Sequence, residues 1–386
     1  MDRPRRLEGI PGFSIDRVAE AAADDPGILR LENLDTDLPP AAEVITATRE
    51  AVGRDEDNSY LPFTGRLELR QAIVERHRRA TGQSRDPADV VVTCGGTEGM
   101  LDALLALTEP GDEVILTDPT YAGMIYRVRL AGAVPRLVPM RQEKGAWRLD
   151  LDALRDAVSA RSRLIFLMNP SIPSGAVLSR EEWDAVARLC LERDLTLLYN
   201  AAMERIVFDD RAVIHPATLR GMAERTVTVG SVSKEFRMIG WRIGWVMAPP
   251  ALAAGIARVH IYNTVTATGI SQAGARAALG ASDEEFHRCR AEWERRRDAI
   301  CATLEGYATV PAAGGWSQLL DVATLGLDSF TASRLLLERG RVAATPMRDW
   351  GGPTADRYVR LVFSNEPVER LAELGARVSK ALGRPR

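Results

Sequence analysis

Seven short runs of apolar and β-branched residues, separated by helical stretches, constrain the fold of this chain more than any other feature. The runs span residues 90–94, 113–118, 134–140, 163–169, 195–200, 227–233 and 243–249. Residues 97–107, 151–158 and 181–192, between the runs, have the spacing of amphipathic helices. Because strands buried on both faces alternate with helices in parallel sheets, the pattern predicts an α/β domain with a central, mostly parallel, seven-stranded sheet. Ligands of such sheets bind at the carboxyl ends of the strands.

The two ends of the chain differ from this central part. Residues 1–40 are polar and contain prolines, which predicts an arm or loop, and helices are predicted at 41–53 and 67–80. A long charged helix at 283–304 precedes a mixed α/β tail. Because 386 residues exceed one ordinary domain, we expect a large domain at 45–280. The segments 1–44 and 281–386 are expected to form a smaller α/β domain together.

Composition excludes several classes of function. The net charge is −3 and the pI is near 6.0, which is not the basic character typical of nucleic-acid binding. No apolar run reaches the length of a membrane helix, and no secretory signal is recognised. The four cysteines lack metal or redox spacing and the four histidines are scattered in sequence, so we expect no metal site and a cytoplasmic location.

The segment 231–245, SVSKEFRMIGWRIGW, carries the strongest chemical signal. A strand ends there in Ser231 and Ser233, followed by Lys234, and Arg242 comes eight positions later. A lysine desolvated at a strand end has a lowered pKa and forms a Schiff base with an aldehyde cofactor. Ser231 and Arg242 are suited to hold a phosphate, the arginine as a bidentate donor.

This segment resembles the signature of fold-type I pyridoxal-5′-phosphate (PLP) enzymes of the class I/II aminotransferase family. The resemblance extends from about Asn33 to the C-terminus, with the motifs in the family's order. It implies that Lys234 carries PLP and that the substrate is a small molecule, an α-amino acid. In VVVTCGGTEGM, where a helix begins after a strand, Gly96, Thr97 and Glu98 match the family's phosphate-binding segment.

Four further motifs match the family's binding residues. Tyr121 in DPTYAG matches the aromatic residue that stacks on the pyridine ring, and Asn169 in NPSIPSG matches the donor to the cofactor's 3-oxygen. Arg360 in RYVRLVFS matches the arginine that pairs with the substrate α-carboxylate, with Arg357 as its rival. Tyr60 in SYLPFTG matches the residue that contacts the phosphate of the neighbouring subunit, which implies a homodimer.

The chain departs from the family at the end of the run at 195–200. The family has an acidic residue 31 positions after the asparagine of the NP motif, and here that residue is Asn200. A carboxylate keeps the pyridine nitrogen protonated, whereas an amide offers a hydrogen bond without charge. Met203 replaces a tyrosine that bonds the 3-oxygen. Asn200 is a natural divergence toward another chemistry, a tolerated change, or an introduced substitution, and the sequence leaves these open.

Three functions follow as alternatives. The first is an aminotransferase for an α-amino acid or an amino-sugar-like donor, with Lys234 as the proton carrier. The second is a PLP lyase for β-elimination or replacement, a cyclase, or an oxidative deaminase in specialised biosynthesis, which Asn200 favours. The third is a non-catalytic protein that kept the fold. The side chains of Trp316, Arg348 and Trp350 either shape a substrate pocket or pack in the core.

Overall fold

The protein forms two β-sheets flanked by helices. The computed structural model describes residues 5–12, 14–22 and 25–384. The strands are β1 (Leu29–Leu31), β2 (Val90–Thr93), β3 (Glu113–Asp118), β4 (Val134–Glu143), β5 (Ala146–Leu149), β6 (Ser162–Met168), β7 (Thr196–Asn200), β8 (Thr226–Ser231), β9 (Gly244–Met247), β10 (Ser317–Asp321), β11 (Val342–Pro346) and β12 (Tyr358–Val362).

The helices alternate with the strands of the central region. They are α1 (Ser14–Ala22), α2 (Ala42–Val52), α3 (Leu67–Thr81), α4 (Gly95–Leu107), α5 (Ala122–Leu130), α6 (Leu151–Asp156), α7 (Arg180–Glu192), α8 (Pro250–Asn263), α9 (Gly269–Gly280), α10 (Glu284–Thr303), α11 (Ser329–Leu335), α12 (Val368–Leu371) and α13 (Leu374–Leu382). None of the helices in the described ranges combines the length and apolarity that a membrane crossing requires.

The larger sheet has the order β2-β9-β8-β7-β6-β3-β4-β5. Strands β8, β7, β6, β3 and β4 run parallel, while β9 is antiparallel to both β2 and β8. The prediction of a mostly parallel α/β sheet is confirmed, but the sheet has eight strands instead of seven. The extra strand is β5, which forms an antiparallel hairpin with the end of β4 at the sheet edge. Its four residues lack the long apolar run of a central strand, so periodicity missed it.

The prediction of an arm or loop at 1–40 is incomplete, because the described part of this segment contains helix α1 and strand β1 of a smaller sheet. This sheet has the order β1-β11-β12-β10, and β1 lies parallel to β11. Helix α1 packs on β11. Strand β1 has only three residues and gains its stability from pairing with a strand more than 300 positions away, which a local pattern cannot reveal. The N-terminal segment therefore joins the C-terminal part of the chain in a second sheet.

Local sequence signals explain where the central helices begin and end. Helix α7 begins with a capping box, in which Ser179 and Glu182 each accept a hydrogen bond from the other's backbone N–H. Helix α3 ends at Gly82, whose φ of 73° is the left-handed conformation that glycine favours. The strands of the larger sheet from β6 to β9 are almost entirely buried, and Trp183 and Tyr199 pack edge to face within that core. Packing of this kind holds the carboxyl ends of the strands in fixed positions.

Candidate functional site

A cavity of about 350 Å³ opens at the carboxyl edge of the larger sheet, next to the smaller sheet. The ends of β7 and β8, the start of α4 and Arg360 of β12 contribute to its walls. The predicted site residues that line it are Gly96, Thr97, Tyr121, Asn200, Ser231, Ser233, Lys234, Arg242 and Arg360. Sequence positions up to 264 apart thus meet at the edge where parallel sheets bind ligands.

Lys234 follows the end of β8 and extends its amine into this cavity. Its Nζ donates a hydrogen bond to the Leu34 carbonyl oxygen and lies 5.0 Å from the centre of the Trp316 ring. Burial lowers the pKa of Lys234 to about 7, with Asp35 opposing this shift and Arg360 reinforcing it. A substantial fraction of the amine is therefore neutral and nucleophilic near pH 7.

Beside the lysine, the N-terminus of α4 and the end of β8 bring together Gly96, Thr97, Ser231, Ser233 and Arg242, a candidate anion-binding cluster, hereafter the anion site. The Ser231 and Ser233 hydroxyls lie 3.0 Å apart, and Arg242 Nη1 donates to Ser233 Oγ at 3.4 Å. Among the described residues, no carboxylate forms an ion pair with Arg242. Backbone N–H groups at a helix N-terminus and an unpaired guanidinium both favour a bound anion.

Glycines make this close assembly possible. A Cβ on Gly244 would lie 2.3 Å from the backbone nitrogen of Gly96, so only glycine lets β9 approach the start of α4 this closely. Gly95 has a φ of 78°, and a Cβ there would lie 2.5 Å from Arg242 Nη2. Arg242 is thus held directly against the first turn of α4.

The end of β7 places Asn200 in the cavity wall. Its Oδ1 accepts a hydrogen bond from the Ala202 backbone N–H at 3.0 Å, and its Nδ2 lies 3.4 Å from the sulfur of Met100. The amide nitrogen is therefore the group that Asn200 presents on the cavity side. Met203, at the position of the family's tyrosine, is fully buried and does not line the cavity.

Two predicted residues lie next to the cavity without lining it. Asn169 is 2% exposed, and its Oδ1 accepts from the Leu178 backbone N–H at 2.8 Å, which leaves Nδ2 as its remaining donor. The Glu98 side chain turns away from the cavity, and its Oε1 lies 2.9 Å from His260 Nδ1. Any role of Glu98 at the anion site therefore belongs to its backbone.

Arg360 and its rival Arg357 lie in different environments. Arg360 is 1% exposed; its Nη2 donates to the Glu32 carbonyl oxygen at 2.5 Å and to Thr345 Oγ1 at 3.2 Å. Its Nε has no hydrogen-bond partner among the described residues. Arg357 forms an ion pair with Asp321 at 2.5 Å and is half exposed. Burial lowers the pKa of Arg360 to about 10, which reflects a desolvated cation short of a counter-charge.

Tyr60 lies outside the cavity, with 85% of its surface exposed. Within one chain it contacts no predicted site residue, so its predicted role depends on a second subunit. Arg348 also lies elsewhere, because it pairs with Asp328 and Asp356 on the surface. Trp350 does line the cavity, where its ring packs against Tyr121 at 6.0 Å and lies 4.5 Å from the Arg360 guanidinium.

Sequence reasoning missed the N-terminal contributions to the cavity. Ile15 and Asp16 of α1, and Leu34 after β1, line it. The spacing of Ile15, Val18 and Ala22 is helical, and this signal was available in the sequence. Their proximity to Lys234 was not, because it arises from the pairing of β1 with β11.

The order of motifs and the geometry of the cavity agree with a known family. A sequence profile described as "Aminotransferase class I and II" matches residues 29–377. The chain belongs to the class I and II aminotransferase family. It is 35% identical over 363 residues to a probable N-succinyldiaminopimelate aminotransferase of Mycobacterium tuberculosis, covering 89% of this chain and 91% of that protein. It is 33% identical to an arginine–pyruvate transaminase of Pseudomonas aeruginosa, covering 88% and 87%.

Solved structures of the family give the same result. The N-succinyldiaminopimelate aminotransferase from Mycobacterium tuberculosis superposes with a TM-score of 0.92 at 32% identity, covering 98% of this chain and 99% of that one. The chain is accordingly a PLP-dependent aminotransferase with the fold-type I architecture. These relatives favour the aminotransferase over the lyase, cyclase, oxidative deaminase and non-catalytic alternatives.

The residues of the cavity fit PLP. The anion site offers an unpaired guanidinium, two hydroxyls and a helix N-terminus for the phosphate, and Lys234 has the lowered pKa that Schiff-base formation with the aldehyde requires. The Tyr121 side chain supplies an aromatic wall. The phosphate, the aldehyde and one ring face of the cofactor therefore each have a complementary group in this chain.

Proposed function

We propose that this aminotransferase acts on an α-amino acid whose carboxylate binds Arg360 and whose amino group meets Lys234. The observation that carries the proposal is the Arg360 guanidinium, which is buried, opens on the same cavity as Lys234 and has no ion-pair partner among the described residues. Leaving a buried guanidinium without an anion is costly. A substrate carboxylate supplies the missing charge and, through two parallel hydrogen bonds, orients the Cα–H bond.

Lys234 has two tasks in this proposal. Its amine would hold the aldehyde carbon of the cofactor, and with substrate bound its Nζ would accept the proton from Cα and return it. When bound, PLP supplies a conjugated electron-withdrawing system for the charge that develops at Cα. A pKa near 7 lets one amine both accept and return a proton at neutral pH.

The remaining predicted residues orient the cofactor. In this proposal Gly96, Thr97 and Glu98 give backbone N–H groups to the phosphate, together with the side chains of Ser231, Ser233 and Arg242. Tyr121 covers one face of the ring. Asn169 donates from Nδ2 to the 3-oxygen, and Asn200 donates to the pyridine nitrogen without adding a charge.

A single-turnover experiment tests the activity. Holoenzyme is mixed with arginine, aspartate, aromatic amino acids or N-succinyldiaminopimelate, without a keto acid, while the visible spectrum, keto acid and ammonia are followed. We expect a pyridoxamine-type spectrum and about one keto acid per subunit, without ammonia. Repeated turnover with ammonia release or oxygen uptake would instead establish a lyase or an oxidative deaminase. Lys234→Ala is the inactive control.

We also propose a homodimer in which Tyr60 reaches the anion site of the second subunit. Its support is the exposure of Tyr60 and of its neighbours Phe63 and Leu67, which are 47% and 48% exposed. Large apolar side chains exposed together are typical of interfaces. The four cysteines are unpaired, which agrees with a reducing compartment, and we propose a cytoplasmic location.

A further inference from the structure

A buried ionic cluster lies behind the anion site, between α4 and α8. It consists of Glu98 and Asp102, one turn apart on α4, and His260 near the end of α8. His260 Nδ1 lies 2.9 Å from Glu98 Oε1 and 3.6 Å from Asp102 Oδ2. The side chains of His260 and Asp102 are fully buried, and that of Glu98 is 9% exposed. Although the histidines are scattered in sequence, folding thus brings one of them against two carboxylates.

The position of Glu98 creates an electrostatic problem for the anion site. Glu98 belongs to the first turn of α4, and its Oε2 accepts a hydrogen bond from the Cys94 backbone N–H at the helix N-terminus. A carboxylate there competes with a phosphate for the positive end of the helix dipole and repels it. The proposed anion site therefore needs the Glu98 charge to be offset and its side chain to be held away.

His260 is placed to do both. In the part of the chain that the structure describes, it is the one basic group within ion-pair distance of Glu98 or of Asp102. Its Nδ1 faces both carboxylates, whereas its Nε2 is buried without a described partner. Burial alone would lower its pKa, but hydrogen bonds with Asp102 and Glu98 raise the pKa of His260 to about 9. The ring is then a cation at neutral pH.

The rest of the cluster fixes this arrangement. Asn263 Nδ2 donates to Asp102 Oδ1 at 3.0 Å, which orients the second carboxylate toward the imidazole. Burial raises the pKa of Asp102, whereas hydrogen bonds from His260, Thr264 and the Cys94 backbone lower that of Glu98 against the effect of burial. Glu98 is therefore the carboxylate that stays ionised next to the helix N-terminus.

We propose that His260 is a positioning residue for the cofactor's phosphate, because its imidazolium turns the Glu98 carboxylate away from the anion site and neutralises it. This inference rests on the proposed assignment of the anion site. It assigns no contact between His260 and the cofactor. His260 acts on Glu98, and Glu98 acts on the first turn of α4. We therefore expect His260 to change the affinity for the cofactor's phosphate and not the contacts of the pyridine ring.

The contribution of His260 to phosphate binding can be isolated by comparing PLP with pyridoxal, which lacks the phosphate. Apo-protein of each variant is titrated with both aldehydes, and the dissociation constants are taken from the absorbance of the lysine-bound form. For His260→Gln we expect the affinity for PLP to fall by about tenfold, the scale of a charge near a partly buried helix terminus, with little change for pyridoxal. An equal loss for both aldehydes, or no loss for PLP, overturns the proposal.

Removal of the competing charge gives a second, independent test. Glu98→Gln alone should bind PLP at least as tightly as the wild type, and the double variant Glu98→Gln/His260→Gln should recover most of the affinity lost in His260→Gln. A double variant as weak as His260→Gln contradicts the proposal. If His260→Gln does not fold, a clear loss of PLP affinity in Glu98→Gln is the overturning result. His287→Gln, at an exposed histidine, is the matched control.

The variant Arg242→Gln tests the assignment of the anion site separately from the proposed role of His260. If Arg242 belongs to the anion site, this variant loses affinity for PLP and keeps affinity for pyridoxal. Loss in Arg242→Gln without loss in His260→Gln rejects the role of His260 alone. An unchanged ratio of the two affinities in Arg242→Gln rejects the anion site itself.

Discussion

At the scale of single residues, Arg360 of β12 and Arg357, which directly precedes that strand, differ in burial and partners, and this difference predicts their functions. Arg360→Leu should lower kcat/KM for α-amino acids by roughly a hundredfold, because a buried charge-assisted pair with the carboxylate is lost. Arg357→Leu is the matched control, since Arg357 pairs with Asp321 near the surface and should leave kcat/KM nearly unchanged. Steady-state kinetics with one amino donor measure both. Equal losses in the two variants would contradict the assignment of Arg360.

Asn200 is the residue whose chemistry departs most from the family. Asn200→Asp keeps the side-chain shape and the acceptor for the Ala202 N–H, and it adds a charge that holds a proton on the pyridine nitrogen. We expect removal of the α-proton to become faster by about tenfold or more. The reason is that a higher pKa of the pyridine nitrogen keeps the ring protonated, and a protonated ring withdraws electrons from Cα more strongly. Stopped-flow absorbance of a single turnover measures this rate. A slower or unchanged rate would show that the amide is the better partner in this site.

At the scale of elements, strand β7 directs adjacent residues to opposite sides of the sheet. Asn200 lines the cavity, whereas the Tyr199 hydroxyl donates to Glu204 Oε1 at 2.8 Å in a buried region. Burial raises the pKa of Glu204 from 4.5 to about 8. Because the folded state then binds its proton more tightly than the unfolded state, the wild type loses stability as the pH rises from about 4.5 to 8.

The variant Glu204→Gln removes the loss of stability that accompanies ionisation of the buried Glu204 carboxyl group. We expect the variant to exceed the wild type in free energy of unfolding by roughly 2 kcal/mol at pH 8.5, a discounted part of the full pKa difference, and by about a third of that at pH 5.5, because the loss begins near pH 4.5. Urea unfolding at both pH values measures the difference. Glu181→Gln, at an exposed position of α7, is the control and should change stability at neither pH. A stability difference that does not depend on pH would argue against a buried, protonated Glu204.

At the scale of the whole molecule, the exposed Tyr60 predicts that each site needs two subunits. When each variant is expressed alone, we expect Tyr60→Ala to have weak aminotransferase activity and Lys234→Ala to have none. When the two are co-expressed, a mixed dimer contains one site with its own Lys234 and the Tyr60 of the other subunit, so activity should return. Tagged purification of mixed dimers, followed by the single-turnover assay, measures the recovery. Absence of recovery in a verified mixed dimer would place Tyr60 outside the site.

Much of the fold and of the site was predictable from sequence because the signals are local. The runs at β2, β3, β6, β7, β8 and β9 lie within one or two residues of their predicted bounds, since strands buried on both faces need continuous apolar residues. The motifs that contain Asn169, Lys234 and Arg360 indicated the cofactor class through their resemblance to the class I/II aminotransferase family. The strands β1 and β5 were missed because each is short and is defined by its partner.

The sequence by itself determined the α/β class, because apolar runs and helical spacing are local signals, and through its resemblance to a known family it indicated the cofactor and the candidate residues for it. Only the tertiary structure decided which groups are left without a counter-charge. It buried Arg360 with no ion-pair partner among the described residues, paired Arg357 with Asp321, and brought His260 to Glu98 across 162 positions. The physical reason is that solvation and ion pairing depend on distances between side chains remote in sequence, and those distances exist only once the two sheets have packed together.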